Sequence, residues 1–256
     1  MAVAAPQSKA NEVFGAIDAL PLDDLKGLAR LWFQIEKVPV NPSSADLLLA
    51  RAAVSLRRGD YKAAITDIDR VFQWRKTLEF ESLFNLNSCL VHSGLFDQSY
   101  VVMLQLAKHW TDQLRANGRH SIQQYFYITG RFDIYQLLWP SDDIESLGAQ
   151  YPLFSSLFSS IDTNQGQESL SLALQKQQNS AVRIAGSKLA HVEPAVLQDE
   201  SGYMSVNISL WCFGETEEIR AMSNSLFDEM YQYWTSRGVY RNPLTEFLSV
   251  SFRKIA

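Results

Sequence analysis

Residues 45–106 read ADLLLARAAVSLRRGDYKAAITDIDRVFQWRKTLEFESLFNLNSCLVHSGLFDQSYVVMLQL. Two short turns divide this stretch, and a similar third turn follows further along the chain. The turns are Arg58–Tyr61 (RGDY), Ser93–Phe96 (SGLF) and Thr129–Phe132 (TGRF). Each has a glycine followed two positions later by an aromatic residue, and the glycines are 35 and 36 residues apart. This period is typical of stacked helix pairs. We therefore predict antiparallel helix pairs over residues 45–139, with glycines in the left-handed conformation at the turns.

The first of these units resembles the tetratricopeptide repeat. Small residues stand in the middle of both its helices, at Ala52 and Ala64. Other positions depart from the family pattern: Arg51, Ser55, Lys76, Asn87, Tyr135 and Pro140. The resemblance implies a curved array of helix pairs over about residues 45–139. It also implies that the concave side, formed by the first helix of each pair, captures a peptide or another protein.

A few side chains are expected on this concave side. The first pair contributes Asp46, Leu49 and Arg57, and the second pair contributes Asn85 and Ser88. Arg57 is of interest because a partly exposed guanidinium can bind a carboxylate through two hydrogen bonds. An acidic segment or a C-terminal carboxylate of a partner protein would suit it. A solvated surface charge is the simpler interpretation of the same residue.

The last third of the chain has a different pattern. Apolar and polar residues alternate strictly in Tyr203–Phe213, which predicts a strand with one buried face. Phe247–Arg253 alternates in the same way. The residues between them, 215–237, have an apolar stripe at helical spacing, which predicts a helix across one face of the sheet. Trp211 and Phe213 are large aromatics on a strand face that otherwise carries Ser and Asn, so they form a second candidate surface for a partner.

Weaker patterns precede these strands. Glu168–Gln178 is predicted as a helix, and Ala181–Ala185 and His191–Leu197 as short strands. Pro194 would confine the last of these to the edge of a sheet because proline cannot donate to a strand ladder. Near the N-terminus, Pro21–Val38 is predicted as a helix that packs against the first repeat.

Together these patterns predict an α+β protein. We expect a helical repeat domain at 11–140, a connecting segment at 141–166 and an α+β domain with a mostly antiparallel sheet at 167–256. The two halves also differ in charge. Residues 1–140 hold 15 Lys and Arg against 14 Asp and Glu, whereas residues 141–256 hold 8 against 14.

Composition narrows the classes of function. The net charge is −5, which is unlike the basic surface of nonspecific nucleic-acid binders. No run approaches the roughly 20 apolar residues of a membrane span, and no signal-peptide pattern opens the sequence. Two cysteines make neither a disulfide framework nor a metal quartet. We therefore expect a cytoplasmic protein whose partner is another protein or a peptide, not nucleic acid or a membrane.

Few residues could take part in catalysis or bind a metal, and each of them has an ordinary structural explanation. Cys89 and His92 share one helix face but have no further metal ligands nearby. Cys212 and His191 could form a thiolate–imidazole pair, but the cysteine lies on the predicted buried face of its strand. Glu215–Glu218 suits the positive end of a helix. We therefore predict no catalytic residue, metal or cofactor.

Two functional hypotheses follow. The first is a non-catalytic interaction protein, such as an adaptor, a chaperone or a toxin-neutralising immunity protein. The second is an enzyme whose active site lacks a linear motif and lies between the helical array and the α+β domain. Co-purification with a single protein would favour the first hypothesis. A deep polar pocket at the junction, with two titratable groups in contact, would favour the second. We expect binding without catalysis by the isolated chain.

Overall fold

The structure, a computed structural model, describes residues 9–117, 122, 125, 128–138, 164–198, 204–237 and 248–255. Its helices are α1 (Lys9–Ala19), α2 (Leu25–Ile35), α3 (Ala45–Arg57), α4 (Tyr61–Gln73), α5 (Phe80–His92), α6 (Phe96–His109), α7 (Thr111–Asn117), α8 (Phe132–Leu138), α9 (Asn164–Ala185) and α10 (Thr216–Thr235). Its strands are β1 (Leu189–Gln198), β2 (Met204–Cys212) and β3 (Leu248–Lys254). The fold is α+β, as predicted, with helix pairs followed by a small sheet.

The first two helix pairs, α3–α4 and α5–α6, confirm the predicted turns. Gly59 and Gly94 have φ of +82° and +77°, a region that side chains with a Cβ atom rarely enter. Asp60 caps α4, because its carboxylate accepts a hydrogen bond from the amide of Ala63 at 3.1 Å. Ala52 and Ala64 are fully buried, and these small residues let α3 and α4 approach closely.

The third unit is described in part. Gly130 again has a positive φ, +68°, and α8 follows it. Three residues of the predicted preceding helix are helical and buried: Ile122, Tyr125 and Ile128. Trp139 and Pro140 lie outside the described residues.

Two departures from the repeat pattern are explained by polar contacts between paired helices. Arg51 on α3 makes a two-bond ion pair with Asp67 on α4, with N···O distances of 2.7 and 2.8 Å. Asn87 on α5 accepts a hydrogen bond from the hydroxyl of Ser99 on α6 at 2.8 Å. In each pair a buried polar group receives a partner, so the helices keep their packing although the usual apolar or small residue is missing.

Helices α1 and α2 pack against α3. The predicted helix Pro21–Val38 is shorter than expected, since α2 begins only after Asp24 and ends at Ile35. Asp24 stops the helix from extending further towards the N-terminus, because its carboxylate accepts from the amide of Gly27 at 2.8 Å and so acts as the N-cap. A small apolar cluster, separate from the main core, holds these helices together: Val13, Ile17, Leu31, Ile35, Ala50 and Val54.

The sheet has the order β1–β2–β3. β1 pairs antiparallel with β2, and β3 pairs parallel with β2. Pro194 lies on β1, opposite Ile208 of the central strand, so the prediction of an edge strand at this proline is confirmed. The prediction that Tyr203–Phe213 and Phe247–Arg253 share one sheet is also confirmed over their described residues.

The predicted strand Ala181–Ala185 is wrong, because these residues form the last turn of α9. Ala181 and Ala185 are both buried, with half-buried and exposed residues between them, and this spacing of four places them on one helix face. Val182 and Ile184 favour a strand by intrinsic propensity. Packing of the long helix against the turn at Gly94 overrides this preference.

The two faces of β2 are as predicted. Its inward face consists of Val206, Ile208, Leu210 and Cys212, which are all buried. The apolar stripe of α10 belongs to the same core: Ile219, Met222, Leu226, Met230 and Trp234. A capping box between Glu215 and Glu218 starts this helix. The side chain of Met204 lies outside the described residues, and Val250 on β3 is only half-buried.

The turns of the helical array pack directly against the C-terminal unit. A methyl group placed on Gly94 would lie 2.2 Å from Cγ1 of Val182 on α9, and one on Gly59 would lie 3.2 Å from the ring of Phe213. One continuous core contains buried residues of the array, of α9, of the sheet and of α10. The predicted domain division at 141–166 stays a prediction, although α9 already begins at Asn164.

Candidate functional site

A cavity of about 180 Å³ lies where α1, α3, α5 and β1 meet. Small residues leave this space open, since Ala52, Ala53 and Ala190 line its walls. Two further lining residues, Asp18 and Ser88, are exposed, so the cavity reaches the solvent between α1 and α5. The cavity lies on the concave side of the helical array, where α1 and β1 of the same chain reduce the open space.

Arg57 lines this cavity but is not the exposed cation that the sequence suggested. Only 7% of its surface is exposed. Its guanidinium donates to the carbonyl oxygens of Ile17, Leu20 and Pro21, at 2.7, 3.0 and 2.7 Å. Burial lowers the pKa of Arg57, and the negative charge of Asp18 partly opposes that effect. The prediction of a partly exposed Arg57 is therefore wrong, because the segment between α1 and α2 covers it.

The other residues predicted on the concave side fall into three groups. Leu49 is fully buried, so its expected place on a partner surface is wrong. Asp46 is half-buried and accepts hydrogen bonds from Ser82 at 2.9 Å and from Asn85 at 3.2 Å, which join α3 to α5. Asn85 and Ser88 line the cavity, as Arg57 does. Binding of a partner by these residues stays a prediction.

Two histidines form the polar wall of the cavity. The rings of His92 on α5 and His191 on β1 are stacked, with centroids 4.5 Å apart and planes inclined by 14°. Nδ1 of His92 lies 2.9 Å from the carbonyl oxygen of Val192. Because a carbonyl oxygen only accepts, Nδ1 carries the proton and Nε2 presents a lone pair. This bond also ties α5 to the strand at the edge of the sheet.

Both imidazoles are held in the neutral form. Burial lowers the pKa of His92, although its bond to Val192 and the charges of Asp18 and Glu193 act in the opposite direction. Burial also lowers the pKa of His191 to well below its usual value, and repulsion by Arg57, and by His92 whenever that ring is protonated, adds to this effect. A proton on either ring would lie in a poorly solvated place against a second ring or a guanidinium.

The histidine pair predicts a loss of stability in mild acid. The unfolded chain takes up protons on these residues near pH 6.5, whereas the folded chain resists them. The free energy of unfolding is therefore expected to fall as the pH drops below about 6.5, by about 1.4 kcal/mol per pH unit for each proton that only the unfolded chain binds. Urea unfolding at pH 7.5, 6.5 and 5.5 measures this slope.

His191→Phe keeps an aromatic ring in the stack and removes one titrating group, so the slope should become smaller. His109→Phe is the matched control, since His109 is exposed on α6, and it should leave the slope as in the original chain. An unchanged slope in His191→Phe would mean that the imidazole pair does not cause the pH dependence.

The surroundings of both cysteines make their thiols unreactive. Burial raises the pKa of the Cys89 thiol and that of the Cys212 thiol to about 12 each. The Cys89 thiol donates to the carbonyl oxygen of Leu49 at 3.7 Å. Thiols in such surroundings are protonated at neutral pH and react poorly. In the described part of the chain, no group of three or more His, Cys, Asp or Glu side chains is placed to hold a metal ion.

The second candidate surface lies outside the cavity. Trp211 is half-buried on the polar face of β2, and its indole donates to the carboxylate of Glu193 at 2.9 Å. Phe213 follows the strand, and its ring packs over Gly59. The structure therefore separates these two aromatics. Trp211 remains available on the sheet, whereas Phe213 fills the angle between the sheet and the first repeat turn.

Sequence reasoning missed the contact between the two histidines. The sequence pairs His92 with Cys89 on one helix face and offers His191 as a partner of Cys212, but it does not link the two histidines. They are 99 residues apart in sequence, and no local spacing links a helix end to a strand in another part of the fold. The only signal in the sequence for this contact is that His92 and His191 each stand next to apolar residues.

Comparisons with protein-family models, with curated proteins and with solved structures find no match to this chain. The tetratricopeptide resemblance therefore rests on the residues of the helix pairs themselves. Among the helices of the described residues, none has the length and apolar character that crossing a membrane requires.

Proposed function

We propose that this chain is a non-catalytic interaction protein that captures another protein by accepting one of its side chains into the cavity. The observation that supports this most directly is the position of the cavity. It opens on the concave side of the helical array, which is the binding side that the tetratricopeptide resemblance implies, and Asn85, Ser88 and Arg57 line it.

The size of the cavity limits what can enter. β1 and α1 already occupy much of the concave side, since β1 contacts both α3 and α5. An added helix or strand therefore has no room there. The remaining space of about 180 Å³ is comparable to a cavity of roughly 150 Å³ that accepts benzene in another protein. It suits a single aromatic side chain.

The lining also favours an aromatic residue with a polar tip. Apolar side chains form one part of the wall, among them Phe14, Ile17 and Leu56. Hydrogen-bonding groups form another part, where His92 offers an acceptor nitrogen and Ser88 a hydroxyl. Tyrosine and tryptophan combine an apolar body with one polar group and are frequent anchors of protein interfaces.

This proposal includes the narrower expectations from the sequence. An adaptor, a chaperone and an immunity protein all act by holding another protein, so the identity of the captured protein separates them. The net charge of −5 supports a protein partner over nucleic acid. The two cysteines are free and buried, which is compatible with the proposed cytoplasmic location.

The test is a pull-down from the source organism with the full chain and with Ser88→Phe, followed by mass spectrometry. Ser88 is exposed at the rim, so a phenylalanine there should block the cavity and leave the fold intact. We expect a protein captured by the original chain to be reduced at least about tenfold, as for loss of a central anchor. Thermal melting checks that the variant is folded.

Ser225→Phe is the control, because Ser225 is also an exposed helical serine, on α10 and away from the cavity. It should capture the partner as the original chain does. If Ser88→Phe retains the partner and Trp211→Ala loses it, the polar face of the sheet is the binding surface and the cavity proposal is wrong.

The second candidate function is catalysis at the same junction. The stacked His92 and His191 favour it, since the pocket holds two titratable groups in contact, and the Nε2 lone pair of His92 could act as a base. Against it, no carboxylate accepts a hydrogen bond from either ring within the described residues. The intact mass of the captured partner separates the two functions. A mass change that disappears in His92→Asn would establish catalysis.

A further inference from the structure

The two edges of the sheet are treated differently by the fold. α3 and α5 contact β1, and His92 bonds to its main chain at Val192. β3 forms the opposite edge, and in the described part of the chain no further strand pairs with it. Its side away from β2 carries main-chain amides and carbonyls over Leu248–Lys254. An edge with which no described strand pairs can accept an additional strand.

An aromatic pair lies on the flank of α10 beside this edge. Phe227 and Tyr231 are 70% and 54% exposed, and their rings stack with centroids 6.4 Å apart. Glu229 lies on the opposite flank of α10. Its carboxylate accepts hydrogen bonds from Lys176, Ser180 and Arg183 of α9. Two residues turn a helix by about 200°. Phe227 and Tyr231, two positions before and after Glu229, therefore point away from α9.

The layer order places this flank next to β3. α9 contacts β2, whereas α10 contacts β3. An ion pair of 3.4 Å between Lys254 and Glu215 joins the end of the strand to the start of the helix. Val250, on the same strand, is half-buried although it belongs to the helix-facing side. Apolar surface and an open strand edge thus adjoin each other.

Cations lie beside this edge on both faces of the sheet. Arg220 lies about two and three turns before Phe227 and Tyr231 on the same side of α10. Arg253 lies near the end of β3, on the sheet face opposite α10. Both arginines are exposed. Neither makes an ion pair or a hydrogen bond with the described residues, and Lys254 adds a third cation that Glu215 only partly offsets, since both are exposed. Three cations therefore lie around this edge in a chain of net charge −5.

We propose that β3 and the adjoining flank of α10 bind an extended acidic segment of another protein, which adds to the sheet as a fourth strand. The strand edge supplies main-chain hydrogen bonds, Arg220 and Arg253 attract the acidic residues, and Phe227 with Tyr231 covers an apolar one. A second copy of this chain fits less well, because its β3 carries Arg253 and Lys254 and no acidic residue. The surface is separate from the cavity and does not depend on it.

The alternating side-chain directions of a strand paired with β3 determine the sequence of a peptide that can test the proposal. Successive side chains of an added strand point to opposite faces, so one face meets the apolar flank and the other meets Ser249, Ser251 and Arg253. A fluorescein-labelled peptide of alternating valine and glutamate, as long as β3, has this character. The same peptide with lysine in place of glutamate is its counterpart. Fluorescence anisotropy with the full chain measures the binding of each.

We expect the glutamate peptide to bind and the lysine peptide to bind at least about tenfold more weakly. Added salt should weaken the binding of the glutamate peptide. Arg220→Glu/Arg253→Glu should reverse the preference and favour the lysine peptide. Phe227→Ala should weaken the binding about tenfold, whereas Phe33→Ala, at a 73% exposed phenylalanine on α2, should not. Ser88→Phe should also leave the binding unchanged, which separates this surface from the cavity.

Hydrogen exchange supplies the structural readout, since strand addition should slow the exchange of amides in β3. Binding without slower exchange there would place the peptide elsewhere and overturn the proposal. Equal binding of both peptides, or failure of both to bind, would overturn it too. Sedimentation of the chain alone as a dimer that Arg253→Glu changes would show instead that a second copy occupies the edge.

Discussion

Arg57→Met is expected to destabilise the fold by about 2–4 kcal/mol, because it leaves three carbonyl acceptors without their charged donor. Methionine keeps most of the apolar stem, so the loss reports on hydrogen bonds more than on volume. The bond to Ile17 is buried, and those to Leu20 and Pro21 are partly buried. Urea unfolding monitored by circular dichroism at pH 7.5 gives the free energy of unfolding for each variant.

Arg58→Met is the matched control on the next residue. Arg58 is exposed, and its guanidinium lies 4.7 Å from the ring centroid of Trp32. A cation–π contact at an exposed site contributes about 0.5–1 kcal/mol, so the control should lose no more than that. Equal losses in the two variants would show that the three carbonyl bonds do not hold the segment between α1 and α2.

This outcome also bears on the cavity, because Arg57 fixes one of its walls. The carbonyl oxygens that it binds belong to the end of α1 and the turn after it. If Arg57→Met releases this segment, α1 should lose protection from hydrogen exchange before α3 does. The binding of a partner would then weaken for a structural reason, which is why Ser88→Phe is the better probe of the cavity itself.

The role of Arg57 illustrates which features the sequence could predict. The turns at Gly59 and Gly94 and the strand Met204–Cys212 follow from local spacing, since glycine conformation and period-two alternation act over a few residues. The burial of Arg57 depends on Ile17, 40 residues earlier. At the sequence level the same arginine is indistinguishable from a solvated charge.

The strand predicted at Ala181–Ala185 failed for a related reason. Five residues with two β-branched side chains fit a short strand, and only the continuity of α9 from Asn164 shows that they end a helix. The histidine pair required a contact between α5 and β1, which no local pattern encodes. The cavity required the absence of large side chains from α3 and β1 at once. Long-range packing thus decided both the errors and the omissions.

Asp67→Ala is expected to cost about 3–5 kcal/mol, because it leaves Arg51 without its counter-ion in a poorly solvated place. The side chains of Asp67 and Arg51 are only 6% and 12% exposed. Hydrogen bonding to Asp67 raises the pKa of Arg51 although burial opposes this. The variant loses this effect, but an arginine is protonated at neutral pH without it, so Arg51 stays charged. Asp69→Ala, two positions on and half-buried, should cost no more than about 1 kcal/mol. Urea unfolding measures both variants.

A double variant separates the net contribution of the ion pair to stability from the destabilisation caused by removing only one partner. Arg51→Met/Asp67→Leu removes both charges and restores the apolar character that the tetratricopeptide pattern has at position 51. Replacing both partners of a buried pair is often close to neutral, so we expect the double variant to recover at least about 2 kcal/mol relative to Asp67→Ala. Arg51 also donates to the carbonyl oxygen of Glu36 at 3.0 Å, and loss of that bond should keep the recovery incomplete. If the double variant is as unstable as Asp67→Ala, the loss of stability comes from altered geometry between α2, α3 and α4. The unpaired charge of Arg51 would then not be its cause.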